Sequence, residues 1–258
     1  MGAAIKAELI KFRSVRSSLV LLAFIVVAAL LVAVLVGSLV STTAGSDFNS
    51  NNSLSRFEAL LFGVQISRLL VGVLAVLVIT QEYRFSTIRA TLTANPRRMQ
   101  VYGAKVATTV ILTIAGSLAL MAGALGVGGG IFQARGGSLP WGTGAAWRLV
   151  GGNVALMIAF GLACLGIGAI IRSSAGSIVV AMVWPIVVEP IAAGLMSVAH
   201  RESWQKFLPF NAGGQVARRD PNEAGAAHFG PWAGLAYFSV WAIALVVFGG
   251  WLLQRRDA

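Results

Sequence analysis

The sequence predicts an all-α integral membrane protein: an amphipathic N-terminal helix and six transmembrane helices, both termini cytoplasmic, in one membrane domain over 1–258. Three observations predict it. Of 258 residues, 57% are apolar and only 11% are charged, against about 25% charged in an ordinary soluble domain. The apolar residues gather into six runs of roughly 20, the length that crosses about 30 Å of hydrocarbon. Basic residues favour alternate connections between those runs. The same composition excludes a disordered chain, which is poor in apolar residues. A net charge of +11 would suggest nucleic acid as partner for a soluble protein. Here anionic membrane lipid is the fitting counterpart, and no nucleic acid is expected. The single cysteine, Cys164, allows no intramolecular disulfide and no cysteine metal cluster.

Taken in order, the spans are expected at 19–40, 59–80, 106–127, 149–171, 176–198 and 232–253. Lys6, Lys11, Arg13 and Arg16 precede the first run, as they would in a signal peptide. A signal h-region is about 7–15 residues, and this run is longer, so it reads as a retained anchor. With the N-terminus inside, twelve Lys and Arg residues fall in cytoplasmic segments and seven in outer ones, Arg68 lying within the second span. That bias sets both termini inside.

The first outer loop, 41–58, is rich in Ser, Asn, Thr and Gly and reads as a flexible polar connection. The second holds Gly128, Gly129, Gly130, Gly136, Gly137 and Gly142 and offers no chemistry. The outer loop 199–231 is the longest. Trp204, Phe207, Leu208 and Phe210 make it interfacial, either as a short helix dipping into the outer leaflet or as an anchored surface loop.

The inner segment 82–98 differs from these. Phe85, Ile88 and Leu92 fall on one helical face, with Arg84 and Arg89 off it. Glu82 is expected at the start of this helix, favourable for its dipole. The helix should end near Ala94, before Pro96, with Asn95 as cap and Pro96 opening the next helix. The physical reading is a short amphipathic helix, interfacial or docked in a protein groove.

These residues carry a resemblance. Glu82-Tyr83-Arg84, Thr87-Ile88-Arg89, Thr91-Leu92, Pro96-Arg97-Arg98 and Lys105 resemble the inner-loop signature of ABC-2 type exporter permeases. Glu8, Lys11 and Arg16 resemble that family's opening helix. The family often carries glycine before the threonine, where this chain has Ser86. The resemblance implies a half-transporter that takes its energy from a separate cytosolic ATPase subunit, which would hold the ATP and magnesium. It implies an inner helix that couples to the ATPase through Glu82, Arg84, Phe85, Thr87, Ile88, Arg89, Leu92, Pro96, Arg97 and Arg98. It also implies a second permease chain, homo- or heterodimeric, with the second and fifth helices facing the path, in a cell membrane and most simply a bacterial one.

The chain itself has no phosphate-binding loop. That motif ends in Gly-Lys, and none of Lys6, Lys11, Lys105 and Lys206 follows a glycine. There is no His-Glu-x-x-His and no Gly-x-Ser-x-Gly. No cofactor or metal is expected here, and the chain reads as a non-enzyme. Gly166-Ile167-Gly168 is read as helix packing. The stripes Ala115, Ala119, Gly123 and Ala155, Ala159, Ala163 are read the same way.

Arg68 and Glu189 are the two charges deep in spans. Each costs roughly 2.5–3.5 kcal/mol to insert, which makes both candidates for the transport path. Glu189 stands between Pro185 and Pro190, which should bend or break the fifth span beside a carboxylate. Arg68 and Glu189 lie at compatible depths for a pair, either a structural ion pair or part of the path. Arg68 is alternatively free to snorkel outward. The functional expectation is an exporter permease for a drug, lipid or peptide. The other classes are a proton-coupled secondary transporter using Glu189, and a membrane scaffold.

Overall fold

The computed structural model describes residues 2–39, 53–88, 91, 93, 97–220 and 229–255. Among the described residues none lies in a strand. An N-terminal helix, Gly2–Ser14, precedes six helices long and apolar enough to cross a membrane. They run Ser18–Leu39, Leu54–Arg84, Arg98–Ala134, Gly144–Ile171, Ser174–Val198 and Pro231–Arg255.

The fourth span is the axis of the bundle. It packs on the second, third, fifth and sixth, and 61% of its most apolar stretch is enclosed, against 17% for the first span and 11% for the fifth. Small residues let it sit there. A side-chain carbon added at Gly166 would come within 2.7 Å of the Leu245 backbone, so only glycine permits that crossing with the sixth span. Ala159 and Ala163 are buried beside Phe160 and Cys164. The stripe on the third span behaves differently. Ala115 and Ala119 line an apolar crevice toward the first span.

Several spans are longer than their hydropathy. The second begins at Leu54, and the third runs from Arg98 to Ala134. The glycines at 128–130, expected in a loop, are helical. Gly128 lies in a π-helical turn, Ala124–Gly128, that crosses the first span where an added carbon would meet the Ala33 carbonyl at 2.8 Å. Close backbone packing there outweighs glycine's poor helix propensity. The polar loop expected at 41–58 is helical from Ser53, and residues 40–52 lie outside the described residues.

The fifth span does not break at its prolines. A π-helical turn, Trp184–Val188, takes in Pro185, and Pro190 sits in the first turn of the helix Glu189–Val198 that continues it. The wider turn accommodates the proline rings and missing donors without ending the helix. Beyond it the chain forms a 3-10 turn, Glu202–Phe207, and a short helix, Pro209–Gly214. The short helix is sunk into the bundle, not laid over it. Phe210 packs edge-on against Phe160, near the middle of the fourth span, with ring centres 5.7 Å apart, and tilted against Phe238 at 4.9 Å.

Both described ends share one face. The guanidinium of Arg98 donates to the carbonyls of Leu253 and Gln254, and Arg172 donates to that of Leu252. Two arginines thus satisfy the last carbonyls of the sixth span and complement its dipole. This end of the bundle, where both described ends lie, is its terminal face.

Candidate functional site

Two regions hold the chemistry that the sequence singles out, one on the terminal face and one within the bundle. On the terminal face, Glu8 of the N-terminal helix, Glu82 of the second span and Lys105 of the third converge, with Lys11 beside them. Lys105 Nζ lies 2.8 Å from Glu8 Oε2 and 2.9 Å from Glu82 Oε1. Lys11 Nζ lies 3.0 Å from Glu8 Oε1 and 2.8 Å from Glu82 Oε1. The knot is neutral, and Lys105 within it is 2% exposed. Burying Glu8, Glu82 and Lys105 is costly, and each is retained because its counter-charges are at hydrogen-bond distance. Burial pushes the Lys11 ammonium down, but its bonds to Glu82 and Glu8 more than reverse this and raise it above the ordinary lysine value.

This arrangement corrects the expectation for Glu82. It lies near the C-terminal end of the second span, which closes at Arg84, and does not begin a separate helix. A carboxylate at that end opposes the helix dipole, and the two lysines compensate for it. The chain then turns through a Schellman motif: Thr87 N–H donates to the Glu82 carbonyl at 3.0 Å and Ser86 N–H to that of Tyr83 at 3.3 Å. Ser86 takes the left-handed conformation with φ 55°. The turn separates Phe85 from the next helical residues, so Phe85 and Ile88 do not share a face. Phe85 caps the span, 61% exposed with Arg84 stacked on its ring, whereas Ile88 is buried.

Thr91, in the segment beyond the turn, has its hydroxyl 3.5 Å from both Lys11 Nζ and Glu82 Oε1. A groove of about 340 Å³ opens here, lined by Phe12 and Ser14 of the N-terminal helix and by Phe85, Thr87 and Thr91. Arg97 is exposed at the start of the third span, and Arg98 is engaged by the sixth. Arg89, Leu92 and Pro96, with Ala94 and Asn95, lie outside the described residues.

The second region is a cleft of about 450 Å³ within the bundle. Arg68 and Leu69 line it from the second span, Leu156 and Phe160 from the fourth, and Pro185, Glu189 and Ala193 from the fifth. Phe210, Asn211 and Arg218 close it from the loop. The structure brings Arg68 and Glu189 to one cleft but not into an ion pair. Glu189 is 3% exposed and its carboxylate is already committed. Oε1 accepts from Phe210 N at 3.0 Å and Trp184 Nε1 at 3.2 Å, and Oε2 accepts from Asn211 N at 2.7 Å. The helix Pro209–Gly214 would otherwise leave those N–H groups unpaired in an apolar setting. Among the described residues the guanidinium of Arg68 takes part in no ion pair or hydrogen bond.

Sequence reasoning named Glu8, Lys11, Glu82 and Lys105 without bringing them together. Charges at the ends of successive spans were the signal available. It missed Trp184 and the Asn211 backbone as partners of Glu189, and it missed Arg218 in the cleft. A loop folding back to mid-bundle leaves no mark in local periodicity.

A family model described as ABC-2 family transporter protein matches residues 4–188. The match runs from the N-terminal helix through the π-turn of the fifth span and includes the knot, the turn at Ser86 and Arg68. No curated protein matches the chain.

Proposed function

The chain belongs to the ABC-2 family of transporter proteins, and from that premise we propose that it is the export permease of a cell membrane, most simply a bacterial one. A separate cytosolic subunit binds ATP and magnesium and drives it. As a member of the family the chain is a multi-pass membrane component of an ABC-type transporter. The proposal adds the direction of transport, the route of coupling and the path.

The observation that carries the reading is the four-charge knot. It ties the N-terminal helix to the second and third spans directly beside the turn at 85–88. A force applied to that turn from the aqueous side meets no slack, because the nearest joints are ion pairs of 2.8–3.0 Å and a hydrogen-bonded helix end. It is therefore delivered to the second span, whose middle carries Arg68 and faces the cleft. The exposed ring of Phe85 and the groove against Phe12 and Ser14 are the docking surface for the ATPase. Arg84 and Arg97 meet acids on the partner or anionic lipid around it. Arg68 and Glu189 mark the path, with Glu189 holding the loop helix that forms one wall. Its carboxylate accepts from three donors and holds the loop helix in place, a structural task that the proton-coupled alternative does not require.

Coupling is tested on Phe85, whose exposure keeps a substitution from disturbing the bundle. Phe85→Asp should insert and fold as the parent does, yet lose co-purification with the ATPase and ATP-dependent export. Normal ATPase capture and export by that variant would leave the turn as a lipid anchor only. Ile88→Asp is the weaker test, because Ile88 is buried and its loss confounds folding with coupling.

A further inference from the structure

Arg68 is expensive where it stands. Counted from Glu82 at the terminal face, it lies fourteen residues up the second span, or about 20 Å, past the midpoint of a hydrocarbon layer about 30 Å thick. A guanidinium at that depth is retained when it has a partner or a function. Its one acidic neighbour in the cleft, Glu189, is turned to the loop helix and spends both oxygens there. Arg218, an exposed residue, lines the same cleft, so the lining carries two arginines against one carboxylate that three neutral donors already engage. The rest of the lining is largely apolar, with Phe160 and Phe210 edge to face and Leu69 and Leu156 among the other walls. The volume suits a head group with the first part of a chain.

We propose that this cleft binds an anionic amphiphile, its carboxylate, sulfate or phosphate head on Arg68 and its alkyl body against Phe160 and Phe210. Arginine suits this role because its planar fork engages two oxygens of such a head and stays charged in a poorly solvated site. An anion reaching Arg68 gives this half-buried cation the partner that the protein withholds. A cationic or neutral amphiphile gains only the apolar contacts. The proposal names the cargo class of the path described above and rests on that reading, but its test involves no ATPase.

The full chain is placed in phosphatidylcholine nanodiscs and titrated with dansyl-undecanoate, a fluorescent single-chain carboxylate, with empty discs subtracting partition into lipid. Saturable binding is expected. Arg68→Gln should weaken it about tenfold or more, through loss of a charge-assisted contact, and Arg68→Lys should retain most of it. The uncharged dansyl-undecanol should bind poorly and ignore Arg68. Should Arg68→Gln fail to fold, Ala193→Trp fills the cleft with Arg68 in place and should abolish binding. Equal binding of carboxylate and alcohol, or undiminished carboxylate binding in Arg68→Gln or Ala193→Trp, overturns the proposal. Adding phosphatidylglycerol to the discs identifies the source of the anion. Displacement of the probe supports a bilayer lipid as occupant, and indifference supports an exported amphiphile. Loss of coupling in Phe85→Asp would leave these binding curves unchanged, so the two readings fail separately.

Discussion

Lys105 is the residue on which the terminal face turns. Replacing it by Met removes a buried cation from between Glu8 and Glu82 and leaves Lys11, whose side chain is 45% exposed, as the one cation of the knot still paired with them. Breaking a buried pair by removing one partner costs about 3–5 kcal/mol, so Lys105→Met should lower unfolding stability by that order. Titration with SDS in mixed micelles measures it. Adding Glu8→Gln should recover part of the loss, and strictly additive losses would mean that the knot is not a unit. Ser86 makes the opposite case. A left-handed residue at a helix C′ position favours glycine by about 1 kcal/mol, so Ser86→Gly should raise the same unfolding midpoint and Ser86→Val should lower it. An unchanged midpoint in Ser86→Gly would mean that the left-handed turn costs this chain nothing. The resemblance flagged Ser86 as the departure from the family's glycine, and the Schellman turn gives the physical reason for that glycine. The turn itself was not legible, because Phe85, Ile88 and Leu92 keep their helical spacing in the sequence whether or not a turn intervenes. Periodicity reports which residues are apolar, and the chain's direction changes on a single dihedral.

At the scale of elements, the helix Pro209–Gly214 depends on Glu189. Six residues cannot sustain a helix by propensity, and this one is held by the Phe160–Phe210–Phe238 cluster and by the carboxylate that accepts from its first N–H groups. Glu189→Ala leaves two buried donors unpaired, each costing about 1–3 kcal/mol. Hydrogen exchange at the Phe210 and Asn211 amides should then accelerate strongly while the spans keep their protection. Glu189→Gln should be intermediate, since its amide oxygen still accepts one bond. Equal protection in all three would remove the capping role. Hydropathy and proline spacing located the fifth span and the loop, but not how they join. A proline pair is compatible with a break, a kink or a π-turn, and the choice rests on Glu189 meeting a segment some 20 residues further on. Gly128 shows the same limit. Its glycine run reads as loop by composition, and its helical state follows from the backbone of the first span pressed against it.

At the scale of the whole molecule, the fifth span presents an apolar face without a partner among the described residues. The fifth span is the least enclosed of the six, and its outer stripe, Ile191, Leu195 and Val198 at helical spacing, is 58–80% exposed. In a bilayer that face meets either lipid or a second permease chain. A closed two-fold dimer about an axis along the membrane normal brings identical residues together, and it would enclose two copies of the Arg68 cleft, which the fifth span walls on one side. Single cysteines therefore distinguish the cases. In a Cys164→Ala background, Ile191→Cys or Leu195→Cys should give disulfide-linked dimers on mild oxidation of native membranes. Val240→Cys, equally exposed on the sixth span, should not. Lipid-facing helices collide at random and would cross-link weakly at all three positions. Specific cross-linking through the fifth span places the clefts on either side of a shared seam, where rotation of the second spans changes the width between them. Monomers alone at every position, in membranes with full transport activity, would show that one six-helix chain suffices and that the exposed stripe only faces lipid.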